Sequence, residues 1–167
     1  MSSSLPTAGA GADDAGDAAD AGAQASIVDR LPHRPPMRLV EEVLALVPGE
    51  SIRARRVAHA SDWYFDGHFP GDPVIPAIVL AELVAQAGGL AASTIAHDAR
   101  QQGMRVAAFT GFKFPAAARP GAVLEVTARV TGRLGGMVKI EGEVTADGVR
   151  VAAGGVTLAE VSSPPAE

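Results

Sequence analysis

The sequence predicts an α+β fold in which a curved antiparallel sheet wraps one long helix. Three observations carry that expectation. The run from Ala77 to about Ala99 is apolar on nearly every face. The runs downstream of it have strand character and are separated by tight-turn dipeptides, Gly135-Gly136 and Asp147-Gly148. Two strand-like runs precede the helix and meet at the turn signal Pro48-Gly49. A helix apolar nearly all round must be covered on most of its circumference, which a short flat sheet cannot do.

Residues 1–26 are Ala, Gly, Asp and Ser with almost no large apolar side chain, and are expected to form a disordered tail. A short helical turn is expected over Ile27–Leu31. In Pro32-His33-Arg34-Pro35-Pro36 three prolines exclude helix and favour extended chain. Arg38–Val47 reads as a strand. Ser51–Ala60 reads as a half-exposed one, with Ile52 and Ala54 alternating against Arg53 and Arg55. The aromatic group Trp63-Tyr64-Phe65 would either wall a pocket or plug the core. After the Gly/Pro-rich loop Gly67–Pro76, Pro76 suits the first helical turn, and the helix would run about 34 Å to Ala99. On it Glu82, Gln86 and Gly89 share one face. Strands follow over Arg105–Pro115, Ala122–Arg133, Met137–Ala146 and Val149–Val161, so the domain spans 27–162 and 163–167 form a polar tail. Two strands, one buried helix, then a run of antiparallel strands is the element order of an α+β hotdog fold, whose exposed edge is expected to pair with a second copy.

Composition narrows the function. The chain has 167 residues and no cysteine, which removes disulfides and thiolate nucleophiles and suits a reducing cytoplasm. Of the net charge of −5, four negative charges (Asp13, Asp14, Asp17, Asp20) lie in the tail. The near-neutral remainder has no electrostatic footprint for nucleic acid. No secretory signal is visible, and Glu82, Gln86 and Gly88-Gly89 make the apolar run a core helix and not a membrane span. The cluster Arg53, Arg55, Arg56 reads as a solvated strand face, or as a docking spot for an acidic partner together with Lys113. The four histidines lack close metal-ligand spacing, and no P-loop, dinucleotide fingerprint or nucleophile elbow is present.

The chemistry concentrates in Asp66–Gln86. An imidazole on a loop, His68, and a carboxylate on a helix, Glu82, suit general base and acid. Taken by itself, a lone histidine before Phe-Pro-Gly is more often structural. A lone glutamate in an apolar helix with no basic residue near it in sequence is costly to bury, which favours a functional role and a protonated carboxyl. The helix start at Ala77 offers unsatisfied N–H groups to an oxygen gaining negative charge.

Gly67-His68-Phe69-Pro70-Gly71, with Pro73 and Pro76, then Glu82 and Ala85-Gln86, resembles the loop and helix of 3-hydroxyacyl-ACP dehydratases of the FabZ type. Leu31-Pro32-His33-Arg34 resembles that family's opening signature. Phe112-Lys113-Phe114-Pro115 with Pro120-Gly121 resembles its strand and turn after the helix. The resemblance covers Leu31 to Val161. It implies dehydration of (3R)-3-hydroxyacyl chains on acyl carrier protein to trans-2-enoyl thioesters. His68 would take the C2 proton, and Glu82 would help the C3 hydroxyl leave. The Ala77 N–H, beside Gly71, would hold the thioester oxygen, the Val74 carbonyl would orient the histidine, and Gln86 would support the carboxylate. It implies no metal or redox cofactor, since the phosphopantetheine arm belongs to the substrate. It further implies a site shared between protomers, in a homodimer or a trimer of dimers.

The chain departs from the family in carrying Ile75-Pro76-Ala77 where Met-Pro-Gly is usual, which adds a methyl where the thioester approaches. With Pro36-Met37 and Trp63-Tyr64, this points to a specialised branch serving a polyketide, polyene or other secondary pathway. Glu82, where isomerising relatives carry Asp, favours simple dehydration. The alternatives are a non-catalytic acyl-binding subunit in a hetero-oligomer and a hotdog thioesterase.

Overall fold

The computed structural model describes residues 27–93 and 103–160; the expected tails and the expected end of the helix lie outside them. A turn at Ile27–Leu31 leads into an irregular segment and then β1 (Glu42–Val47) and β2 (Ser51–Val57). A short 3₁₀ turn (Trp63–Phe65) and the loop follow, then α1 (Ala77–Ser93), β3 (Met104–Lys113), β4 (Val123–Leu134), β5 (Met137–Ala146) and β6 (Val149–Glu160). The six strands form one antiparallel sheet in the order β1-β2-β4-β5-β6-β3. The expected hairpins at Pro48-Gly49, Gly135-Gly136 and Asp147-Gly148 are all present. β3 crosses over to the far edge beyond β6, a placement that element order alone does not reveal.

The helix contacts β2, β3, β4, β5 and β6. Leu83, Val84, Ala87, Leu90 and Ala91 are fully buried against inward residues Leu124, Val126, Ile140, Val144 and Val156. Burying each large aliphatic side chain contributes about 1.5–3 kcal/mol, which makes this contact the centre of the fold. Small residues set its distance: a Cβ at Gly88 would stand 2.5 Å from Ile140 Cγ2. The far end of α1 is tied to the sheet through its last carbonyls, which the helix itself cannot satisfy. Gly49 N–H donates to Ala91 O at 2.9 Å and Arg133 Nη2 donates to Ala92 O at 3.1 Å. Among the described residues no helix is long and apolar enough to cross a membrane.

The expected basic face on β2 does not hold as drawn. Ile52, Ala54, Arg56 and Ala58 all turn inward, and Arg56 is only 4% exposed. Its guanidinium pairs with Asp62 at 2.6 Å and lies 3.7 Å from Glu41, so it braces the segment before the loop and is not a docking cation. Arg55 is engaged with Glu42, and Arg53 remains exposed. The alternation along β2, and not the cluster of charge, places Arg56 on the inner face. The aromatic triplet divides: Tyr64 and Phe65 enter the core while Trp63 stays half exposed.

Tyr64 donates its hydroxyl to Asp62 at 2.6 Å, and burial, with that hydrogen bond, pushes its pKa above the ordinary phenol range. The folded state therefore binds this proton more tightly than the unfolded chain does. The stability contributed is complete below the unfolded value of about 10 and is lost as pH rises toward the higher folded value. Tyr64 is the chain's one tyrosine, so phenolate absorbance reports it alone. In an alkaline titration that signal should rise only together with loss of circular dichroism. Ionisation with the usual phenol midpoint in a folded chain would contradict the assignment.

Candidate active site

The loop before α1 is locked to itself and to the core. His68 N–H donates to Phe65 O at 3.2 Å, Val74 N–H to His68 O at 3.0 Å, and Ile75 N–H to Ala118 O at 2.8 Å. Phe69-Pro70-Gly71-Asp72 closes as a tight turn, with Asp72 N–H donating to Phe69 O at 3.0 Å and Gly71 at φ +81°. Proline second and a left-handed residue third is the pattern of a type II turn. Open space surrounds the position a Gly71 side chain would take, so backbone conformation accounts for this glycine. The His68–Phe69 peptide is cis, and the two rings stack at 4.1 Å.

Val74 grips the histidine twice, through its N–H as above and through its carbonyl, which lies 3.1 Å from His68 Nδ1. A carbonyl only accepts, so Nδ1 carries the proton and Nε2 of the neutral ring keeps its lone pair. His68 is half-buried, whereas the neighbouring Phe69, Ala77 and Ile78 are exposed. Ala77 opens α1 and its N–H has no acceptor within the helix, because the first intrahelical bonds run from Val79 and Leu80 to Pro76 O.

Glu82 lies one and a half turns along α1, beside a cavity of about 410 Å³. Ala85, Gln86 and Gly89 line it from the same helix face, His33 from the opening segment, and Met104, Arg105 and Val106 from β3. His68 is not part of its wall. Gln86 is buried and fully engaged: Oε1 accepts from Leu39 N–H at 2.8 Å, and Nε2 donates to Met37 O at 2.8 Å and to Glu82 Oε1 at 3.0 Å. The expectation of a carboxylate alone among apolar groups needs correction. The Glu82 side chain is 21% exposed, and His33 Nε2 stands 3.4 Å from its Oε1. Sequence distance concealed that neighbour, forty-nine positions earlier in the chain. The sign of it was the Leu31-Pro32-His33-Arg34 run itself, which the family resemblance singled out without giving His33 a role.

Residues 31–154 match the FabA-like domain family. The chain is 33% identical over 129 residues to the 3-hydroxyacyl-[acyl-carrier-protein] dehydratase FabZ of Myxococcus xanthus, covering 77% of this chain and 84% of that protein. It is 35% identical over 140 residues to the FabZ of Nitratidesulfovibrio vulgaris, covering 82% and 89%. The chain belongs to the FabZ-type dehydratase family. As such it is a carbon–oxygen lyase that dehydrates 3-hydroxyacyl thioesters. Among solved structures, the dehydratase heterocomplex ApeI:P from Xenorhabdus doucetiae superposes with a TM-score of 0.68 at 20% identity, over 81% of this chain and 91% of that one. A hypothetical thioesterase from Streptococcus pneumoniae superposes with a TM-score of 0.56 at 14% identity, over 73% and 91%. At those identities the likeness concerns the fold, which is the hotdog expected.

Proposed function

We propose that the enzyme removes water from (3R)-3-hydroxyacyl chains carried on acyl carrier protein, with His68 as base and Glu82 as acid. His68 Nε2 takes the proton from C2. The electron pair of that C–H bond forms the C2–C3 double bond as the C3–O bond breaks, and Glu82 gives its proton to the departing hydroxyl, which leaves as water. The thioester oxygen draws charge in passing, and the N–H of Ala77 at the positive end of α1 is suited to hold it. Gly71 leaves the loop tip bare where the phosphopantetheine arm would approach. The observation that carries the reading is the Val74 grip on His68 Nδ1, which leaves Nε2 as the basic nitrogen.

We further propose that the site is shared between two protomers, in a homodimer or a trimer of dimers working in the cytoplasm. β3 is an edge strand with Val106 and Phe109 more than a third exposed, an edge that invites pairing. Met104, Arg105 and Val106 of that same edge wall the Glu82 cavity. A second copy docked there lies beside Glu82 and can bring its own His68 to a cavity whose wall includes His33 but not His68.

The test is to incubate the purified protein with a (3R)-3-hydroxyacyl-acyl carrier protein and follow the acyl chain by mass spectrometry. Loss of one water to a trans-2-enoyl thioester is expected. Release of free carrier thiol would identify a thioesterase instead. Ala77 favours one second reading, a non-catalytic subunit of a hetero-oligomer, because its methyl stands beside the proposed thioester site. A homomer that is inert until a co-expressed partner joins it would establish that reading. A panel of acyl chain lengths and substituents in the same assay distinguishes bulk fatty-acid synthesis from a polyketide or polyene branch.

A further inference from the structure

We infer that His33 is the positioning residue of Glu82, and that with Gln86 it assigns the two carboxylate oxygens different tasks. This rests on the reading of Glu82 as the acid. Both neighbours address one oxygen: Gln86 Nε2 donates to Oε1 at 3.0 Å, and His33 Nε2 stands 3.4 Å from that same atom. No hydrogen bond or ion pair among the described residues reaches Oε2. With Oε1 occupied from two sides, Oε2 is the oxygen that carries the acid proton and meets the substrate hydroxyl.

The geometry also selects the histidine tautomer. His33 Nδ1 is buried with no hydrogen-bond partner among the described residues. A proton on Nδ1 would leave a buried N–H unpaired and set the bare Nε2 lone pair against a carboxylate oxygen. A proton on Nε2 removes the opposition to the carboxylate oxygen and leaves at Nδ1 only an unpaired acceptor, making Nε2 the donor to Oε1. The 3.4 Å separation is long for such a bond, as contacts of catalytic groups are before substrate tightens them.

The chain holds His33 in place deliberately. Leu31, two residues earlier, is buried in the core. Arg34 Nη1 donates to Leu31 O at 2.8 Å and to His33 O at 2.9 Å, closing the turn around the histidine. Gln86 then fastens the following segment to α1 through Met37 O and Leu39 N–H. The histidine and the glutamate are thus referenced to the same helix. Arg30 and Arg105 also line the cavity, but neither is paired with Glu82.

Three variants at His33 test the assignment, with Glu82→Gln run in the same dehydration assay. His33→Gln places a neutral N–H close to where Nε2 stood. His33→Asn reaches only as far as Nδ1, and His33→Ala provides nothing. Removing one hydrogen bond to the reacting carboxyl should lower kcat by about ten- to a hundredfold in His33→Ala and His33→Asn, with KM changed by less than about twofold. His33→Gln should recover most of kcat. Should His33→Ala fail to fold, the contrast between Gln and Asn decides. Equal losses in Gln and Asn variants, or wild-type kcat in all three, overturn the role of His33 while Glu82→Gln stays inactive. An active Glu82→Gln overturns the underlying reading instead.

Discussion

Mixed dimers of His68→Ala and Glu82→Gln chains should recover about a quarter of wild-type dehydration activity, although neither variant alone turns over substrate. The figure follows from the isologous symmetry of a two-fold dimer. Random mixing makes about half of the dimers heterodimers. In each of these one site combines both lesions, and the other combines an intact His68 with an intact Glu82 from opposite chains. Each single variant should lose about a hundred- to ten-thousandfold in kcat, since a proton-transfer group contributes on the order of 10²–10⁴. Co-expression of differently tagged chains followed by tandem purification isolates the heterodimer and sharpens the comparison. A heterodimer as inert as its parents would place both groups of a site on one chain and refute the shared-site reading. Recovery would explain why the cavity beside Glu82 has the β3 edge, and not His68, in its wall.

Gly88→Ala should destabilise the fold substantially even though alanine is the better helix former. Helix propensity favours the change by about 1 kcal/mol. Against it, the new methyl would lie 2.5 Å from Ile140 Cγ2 and 2.8 Å from its Cδ1, distances that real side chains do not tolerate. Ile140 is 1% exposed and in the middle of β5, so it cannot swing aside. The helix must move off the sheet, and overpacking of this kind costs about 1–3 kcal/mol or more. With the propensity gain set against it, a Tm lower by roughly several degrees is expected by thermal denaturation. Paired with Ile140→Ala, which removes the obstructing atoms, the two changes should be non-additive, because they share one contact. An unchanged or raised Tm in Gly88→Ala would show that the helix does not approach the sheet as closely as described. Gly142 makes the same point from the strand side, since a methyl there would meet Val84 at 2.6 Å and the Thr127 carbonyl at 2.9 Å. These two glycines set the depth at which α1 lies, and with it the position of Glu82.

Much of this was legible from the chain because it is local. The hairpins at Pro48-Gly49, Gly135-Gly136 and Asp147-Gly148 follow from turn chemistry alone. The start of α1 after Pro76 follows from proline's fixed geometry, and the shared face of Glu82, Gln86 and Gly89 from the 3.6-residue period. The loop and helix residues also carried the family. Alternation on β2 held the information that Arg56 points inward, yet a cluster of three arginines suggested a charged surface. Its partner Asp62 lies in a different element, and only their pairing makes burial of the guanidinium affordable.

What the chain alone determined, then, is the elements, their order, and the two groups proposed to bear the chemistry, since turns, periodicities and motif spacings involve residues close in sequence. The tertiary structure decided three further things. It sent β3 to the outer edge of the sheet, which exposes a strand beside the Glu82 cavity. It turned His68 by the Val74 carbonyl so that Nε2 is the free nitrogen. It brought His33 against Glu82 from forty-nine residues away. The first and third depend on how distant segments pack around one helix, which no local spacing records; the second is a contact six residues apart, where the sequence suggested the pair and the structure supplied the 3.1 Å geometry.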